Sequence, residues 1–182
     1  MKNNTFRLTC AALCVALALV LPFLTGQIPA VGKALSPMHI PVFLCGFLCG
    51  WPWGLVVGFL SPLLRGVLFG MPAILPNGAA MAFELATYGA VCGALYRALP
   101  KKVPYLYLSL LSAMAAGRVV WGVARYVIAG LSHSSFPFSA FLAGAVTEAL
   151  PGIILHILLV PPLVLALRRA GLTDEGRLRR AS

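Results

Sequence analysis

Long apolar segments make up most of this chain, and they leave few possible folds. Six can be drawn, with approximate bounds 8–25, 38–50, 53–70, 77–98, 104–130 and 137–168. The composition is 60% hydrophobic and 10% charged, with a mean hydropathy of +0.95, which is not that of a soluble domain. We therefore predict an all-α membrane protein, a six-helix transmembrane bundle that forms a single integral membrane domain over residues 1–182.

The second apolar segment is shorter than the others. A helix needs about 20 apolar residues to cross a bilayer, so residues 38–50 do not span it alone. Pro41 and the sequence Trp-Pro-Trp-Gly at 51–54 predict a short or tilted helix that turns at 51–54 and packs against the third segment.

Basic residues indicate the topology. The net charge is +10. The N-terminal end, the 98–103 connection and the C-terminal tail carry Lys2, Arg7, Arg97, Lys101, Lys102, Arg168, Arg169, Arg177, Arg179 and Arg180. The opposite connections carry only Lys33. The positive-inside rule then places both termini in the cytoplasm, next to anionic membrane lipid. No soluble basic surface is left for nucleic acid, so we predict no such partner.

The connections on the predicted outer side are rich in glycine and proline. They cover residues 26–37, 70–77 and 130–137, whereas the inner turns are brief. Long irregular loops on one face often act as lids. We expect a site that opens outward.

The stretch 77–96 combines membrane-like apolarity with a carboxylate near its middle. Asn77, Met81, Glu84 and Tyr88 fall on one face at helical spacing. A charge at that depth is costly and normally faces protein or a water-filled cavity. This face is predicted to line a small-molecule site.

A second polar stripe lies in the fifth segment, where Arg118, Trp121 and Arg125 share one helical face. Two arginines inside a membrane segment require anionic or carbonyl partners. They could pair with Glu84 and Glu148, which is the structural alternative. With Arg65 included, however, three arginines face two glutamates, and the surplus favours a ligand with a carboxylate or phosphate. Arg65 either reaches the membrane interface or faces the site.

The sixth segment contains a predicted kink. Thr147 and Glu148 precede Pro151-Gly152, which should bend the helix and free backbone carbonyls. His156 lies two turns beyond Glu148, as a structural residue or a ligand contact. The five cysteines lack metal-site spacing, so we predict packing roles and no metal.

Several catalytic signatures are absent. The chain has no Walker A sequence and so cannot power ATP-driven transport by itself. It also lacks the metalloprotease, serine-hydrolase and dinucleotide-binding motifs. Two alternatives to a binding protein stay open. One is an intramembrane enzyme that uses Glu84, Glu148 or a histidine, and the other is a structural membrane subunit whose charges pair with each other.

The chain resembles the substrate-binding S components of energy-coupling factor (ECF) vitamin transporters over nearly its whole length. The likeness lies in the size, the six segments and these stretches: the small-residue face Ala12/Ala16, loop 26–37, the blocks 36–39 and 50–54, Gly58–Arg65 and Met81–Glu84. The resemblance implies a bacterial membrane subunit that binds a vitamin near the outer face, with no cofactor of its own. It further implies a T component that docks on Ala12 and Ala16, and two ABC ATPases that use ATP.

The substrate follows from the residues together with this resemblance. The surplus of arginine favours an anionic ligand, and Tyr88, Trp121 and Phe136 are suited to stack on a ring or cover a chain. The sequence looks closest to pantothenate-type subgroups, with pyridoxine-type and riboflavin-type ligands as rivals. The expected binding residues are Glu84, Arg118, Trp121, Arg125, Glu148, Asn77, Tyr88 and Arg65.

Overall fold

The computed structural model describes residues 2–25, 35–132, 137–147 and 149–171, and these residues contain helices but no strand. In chain order the helices are α1 (Lys2–Val20), α2 (His39–Cys49), α3 (Trp51–Phe69), α4 (Ala79–Ala98), α5 (Val103–Leu131), α6 (Phe138–Leu142) and α7 (Leu150–Arg169). Short helical turns follow α1 at Leu21–Thr25, precede α4 at Ile74–Gly78 and follow α6 at Ala143–Thr147.

The predicted all-α membrane fold is confirmed. Within the described residues, five helical stretches are long and apolar enough to cross a membrane: Asn4–Leu24, Trp51–Phe69, Ile74–Ala98, Val103–Leu131 and Phe138–Arg169. Helix α2 has only 11 residues, so the predicted count of six spanning helices stays a prediction. Most of loop 26–37, the loop residues 133–136, Glu148 and the tail from 172 lie outside the described residues.

The short helix α2 lies at the centre of the bundle. Ten of its eleven residues are buried, and it packs against α1, α3, α4 and α7. This burial explains why a segment too short to span the membrane is nevertheless almost entirely apolar.

The connection from α2 to α3 differs from the prediction. Residues 51–54 are not a turn, because α3 already begins at Trp51. The break is Gly50 alone, whose φ of +91° is a backbone conformation that favours glycine. Pro52 lies in the first turn of α3, where its missing N–H costs nothing.

Helix α4 makes the most extensive contacts, with α3 on one side and α5 on the other. Glycines let α3 and α4 touch through their backbones. A Cβ built on Gly54 would lie 2.6 Å from the carbonyl oxygen of Gly89, and a Cβ on Gly89 would overlap the Gly54 carbonyl. Close approach of this kind is how helices associate in lipid, where burial of apolar side chains supplies little driving force. It holds α4, with its carboxylate, firmly within the bundle.

The prolines of the sixth apolar segment differ in position from the predicted kink. Pro151 belongs to the first turn of α7, whereas Pro161 and Pro162 lie within that helix. Helix α6 continues into the turn Ala143–Thr147, and Glu148 lies outside the described residues. The predicted kink at Pro151-Gly152 is therefore not inside α7.

Candidate functional site

Three predicted site residues meet in one buried cluster. Glu84 and Tyr88 lie one turn apart on α4, and the Tyr88 hydroxyl donates a 2.6 Å hydrogen bond to Glu84 Oε1. Arg118 on α5 places Nη1 3.0 Å from the same oxygen. The Glu84 side chain is only 2% exposed, whereas that of Arg118 is 20% exposed. A carboxylate held in this way by a cation and a hydroxyl is tolerated inside a membrane protein.

In the Glu84–Tyr88–Arg118 cluster, the Tyr88 ring is packed between neighbouring helices. Phe43 of α2 stacks on Tyr88 with ring centroids 4.9 Å apart. The Tyr88 ring also lies against Gly117 of α5, where a Cβ would overlap it. The rigid walls fix the position of the Tyr88 hydroxyl and so the orientation of Glu84.

Two histidines complete this region, and they converge on one carbonyl. His39 Nδ1 lies 3.0 Å from the Ser36 oxygen, and His156 Nε2 lies 3.2 Å from it. The two rings are 5.5 Å apart, and the His39 ring is 5.4 Å from that of Tyr88. The sequence singled out His156 but assigned no role to His39 or Ser36. The one available signal was their position, at the end of the predicted lid loop 26–37 and just after it.

Asn77 and Arg125 form a separate contact. Arg125 Nη1 donates a 2.9 Å hydrogen bond to Asn77 Oδ1 in a more exposed place than the buried cluster. Arg125 lies two turns beyond Arg118 on α5, toward the 133–136 connection. The two arginines therefore share a helical face, as predicted, but hold different partners.

Trp121 links α5 to the broken last segment. Its ring stacks on Phe141 of α6 with centroids 6.3 Å apart, and it lies against Gly144. Next to it an apolar groove of about 350 Å³ opens between α5 and α6; its lining residues are Val119, Gly122, Val123, Tyr126, Phe138 and Phe141. This lining carries no charged side chain.

Arg65 is not brought into the cluster. The side chain is 4% exposed, and Nη1 donates to the Leu19 carbonyl at the end of α1. Its guanidinium lies 5.0 Å from the Phe23 ring centroid and 5.4 Å from that of Phe69. These contacts tie α3 to the end of α1, and they remove Arg65 from the charge count that suggested a surplus of arginine.

Replacing Arg65 with methionine should lower stability and leave ligand affinity unchanged. The substitution removes a charge-assisted hydrogen bond and two cation–π contacts, which together amount to about 2–3 kcal/mol. Thermal unfolding of the detergent-solubilised variant, together with a ligand titration, checks this expectation. A variant with wild-type stability but weakened binding would place Arg65 in the site after all.

The predicted absence of a metal stays a prediction. No group of three or more histidine, cysteine, aspartate or glutamate side chains there is arranged to hold an ion. Glu148 and Phe136 lie outside the described residues, so their predicted contacts with ligand stay predictions.

Comparison with known proteins gives one result. The family model described as "ECF transporter, substrate-specific component" matches residues 6–164. No curated protein and no solved structure matches the chain. The matched range includes every described residue discussed above as a site candidate.

Proposed function

The chain belongs to the family of ECF transporter substrate-specific components, and from this premise we propose that it captures a small anionic, vitamin-like nutrient at the outer face of the membrane. Members of this family are membrane transport subunits and not enzymes. Delivery of the nutrient requires an ECF T component and two ABC ATPases, which hydrolyse ATP; this chain carries no cofactor.

The buried Glu84–Arg118 pair is the observation that supports binding. Arg118 gives one nitrogen to Glu84, and a guanidinium has five N–H donors in a planar fork. Because a fifth of the Arg118 side chain is exposed, further donors are available to an anionic ligand group. Glu84 orients the guanidinium and Tyr88 orients Glu84, so the anchor is fixed before the ligand arrives.

The ligand is proposed to carry a carboxylate, with pantothenate as the first candidate. Arg65 is tied to α1 and so does not meet the ligand. Arg118 and Arg125, two cations on one face of α5, are the residues that favour a carboxylate. Pyridoxine and riboflavin are the rival ligands, and they serve as comparison probes.

The basic ends of the helices support the proposed topology, with both termini in the cytoplasm of a bacterium. Arg168, in the last turn of α7, donates a 2.8 Å hydrogen bond to the Lys101 carbonyl in the connection between α4 and α5. The basic residues around both therefore lie at the same end of the bundle. The positive-inside rule assigns that end to the cytoplasm.

Uptake measurements test the transport proposal. Cells that express this chain together with a T component and two ABC ATPases should accumulate radiolabelled pantothenate, and an inactive Walker A variant of the ATPases should stop uptake. An intramembrane enzyme predicts chemical conversion of a substrate by the purified chain without any ATPase. Uptake that proceeds unchanged with inactive ATPases would contradict the proposal.

The exposed face of α1 is the proposed docking surface for the T component. Ala12 and Ala16 are exposed, whereas Cys14 and Ala18 on the other face are buried in the bundle. Small residues let a partner helix approach closely. Ala12→Trp and Ala16→Trp should therefore abolish uptake and leave ligand binding unchanged. Leu13→Trp, at an exposed position on a neighbouring face, is the matched control. Full uptake in both alanine variants would remove this surface.

A further inference from the structure

The Ser36 carbonyl fixes the protonation of two histidines. A carbonyl oxygen only accepts hydrogen bonds, so the ring nitrogens that contact it must carry protons. The tautomers that satisfy both contacts are Nδ1–H for His39 and Nε2–H for His156, and the same oxygen also accepts the His39 backbone N–H at 3.0 Å. In each neutral ring the other nitrogen carries no proton and can accept a hydrogen bond.

The remaining nitrogen of His39 has nothing to bind within the described residues. The side chain is 3% exposed, and Nε2 is buried without a hydrogen-bond partner there. A buried polar atom of this kind is costly, and native proteins retain few of them. Each one that persists requires an explanation, such as a functional role or a bound water or ion.

The surroundings keep His39 Nε2 an acceptor. A second proton would give His39 a positive charge within electrostatic range of Arg118, in a region where like charges are poorly screened. The Glu84 carboxylate beside Tyr88 is already paired with Arg118, and the rings of Tyr88 and His156 that pack against His39 carry no negative charge. Neutral His39 therefore presents a lone pair, which only a hydrogen-bond donor can satisfy.

We propose that His39 Nε2 accepts a hydrogen bond from a hydroxyl or amide N–H group of the nutrient, while Arg118 holds its anionic group. This inference rests on the proposed function and deepens it, because it narrows the substrate to small carboxylates that also carry a donor group. His39 is then a residue that determines specificity. An analogue without the donor leaves Nε2 unpaired, and such a loss discriminates more strongly than a missing methylene does.

Two substitutions separate this role from the contact with Ser36. His39→Asn places an amide N–H near the Nδ1 position and keeps the hydrogen bond to Ser36, but it removes the acceptor at Nε2. His39→Gln reaches the Nε2 position and keeps an acceptor there, but it loses the Ser36 contact. Binding of pantothenate, pyridoxine and riboflavin is titrated for the wild type and both variants, and thermal unfolding is measured for each.

Binding of pyridoxine or riboflavin alone would contradict the proposed carboxylate, because neither vitamin carries one, so the expected result concerns pantothenate. His39→Asn should weaken its binding at least tenfold, whereas His39→Gln should lose less. A deoxy analogue of the same vitamin should bind the wild type more weakly than the vitamin does, by a similar factor. Its affinity for His39→Asn should be no lower than for the wild type, because the deoxy change and the substitution remove the same interaction. The wild-type comparison of vitamin and analogue needs no variant, so a poorly folding variant does not block the test.

Two failures are distinguishable. If the wild type binds a vitamin, but neither His39→Asn nor the deoxy analogue lowers affinity, an ordered water satisfies Nε2 and the inference is overturned alone. If the wild type binds none of the three vitamins, the proposed function fails and the inference falls with it.

Discussion

Replacing Gly89 with leucine should leave no folded bundle. The Gly89 backbone touches the Gly54 backbone across the α3–α4 crossing, and even a Cβ at Gly89 would overlap the Gly54 carbonyl. The clash involves two backbones inside helices, so no side-chain rotation relieves it. Overpacking a core with side chains alone costs about 1–3 kcal/mol. Separating the two helices also removes the packing contacts along them. The free energy lost in this way approaches the total stability of a folded protein, which is about 5–15 kcal/mol.

Size-exclusion chromatography of the detergent-solubilised protein measures this effect. Gly89→Leu should elute as aggregate or fail to accumulate. Ala94→Leu, five residues along the same helix at an exposed position, adds the same bulk toward the surroundings and should elute as the wild type does. A monodisperse Gly89→Leu protein with wild-type thermal stability would show that α3 and α4 do not cross at these glycines.

Replacing Arg118 with alanine should weaken nutrient binding by at least about tenfold. The substitution removes the cation that would meet the ligand, and it also leaves Glu84, which is 2% exposed, without its ion-pair partner. Truncating one member of a buried charge pair costs about 2–5 kcal/mol, which corresponds to at least tenfold in affinity. Glu84→Ala should cause a similar loss, because Arg118 then lacks the group that orients it.

Isothermal titration with the bound vitamin measures both variants. Arg97→Ala is the matched control: it removes an exposed arginine at the end of α4 and should bind as the wild type does. Arg118→Lys keeps the charge but not the planar fork of donors, so it should bind between the wild type and Arg118→Ala. Wild-type affinity in both Arg118→Ala and Glu84→Ala would remove the cluster from the site.

The sequence predicted those features that depend on periodicity and composition. Apolar segment lengths give the helical membrane fold, and helical spacing puts Glu84 and Tyr88 on one face of α4 and Arg118 and Arg125 on one face of α5. That Arg118 pairs with Glu84 was only one of the alternatives, and the structure shows it. Gly89 and Gly93 are four residues apart, as are Gly46, Gly50, Gly54 and Gly58. This spacing is a recognised signal for close helix packing, and it could have predicted the α3–α4 crossing directly.

Other features required tertiary structure. Arg65 donates a hydrogen bond to the carbonyl of Leu19. Every residue has a backbone carbonyl, so the sequence does not indicate which one a side chain will contact. His39 is a single histidine whose role depends on the Ser36 carbonyl and on the burial of Nε2. The predicted turn at 51–54 begins one residue after the observed break at Gly50. Trp51, Pro52 and Trp53 suggested a turn, but Pro52 is compatible with the first turn of a helix.

Native mass spectrometry of the protein, purified in mild detergent without added ligand, tests the central claim that the Glu84–Arg118 cluster anchors a captured nutrient. The wild type should carry an extra mass of vitamin size, and Arg118→Ala should carry none. A cooperative thermal unfolding transition shows that the Arg118→Ala protein is still folded. A wild type that shows only the mass of the bare chain, even after incubation with pantothenate, pyridoxine and riboflavin, would mean that these charges merely pair with each other.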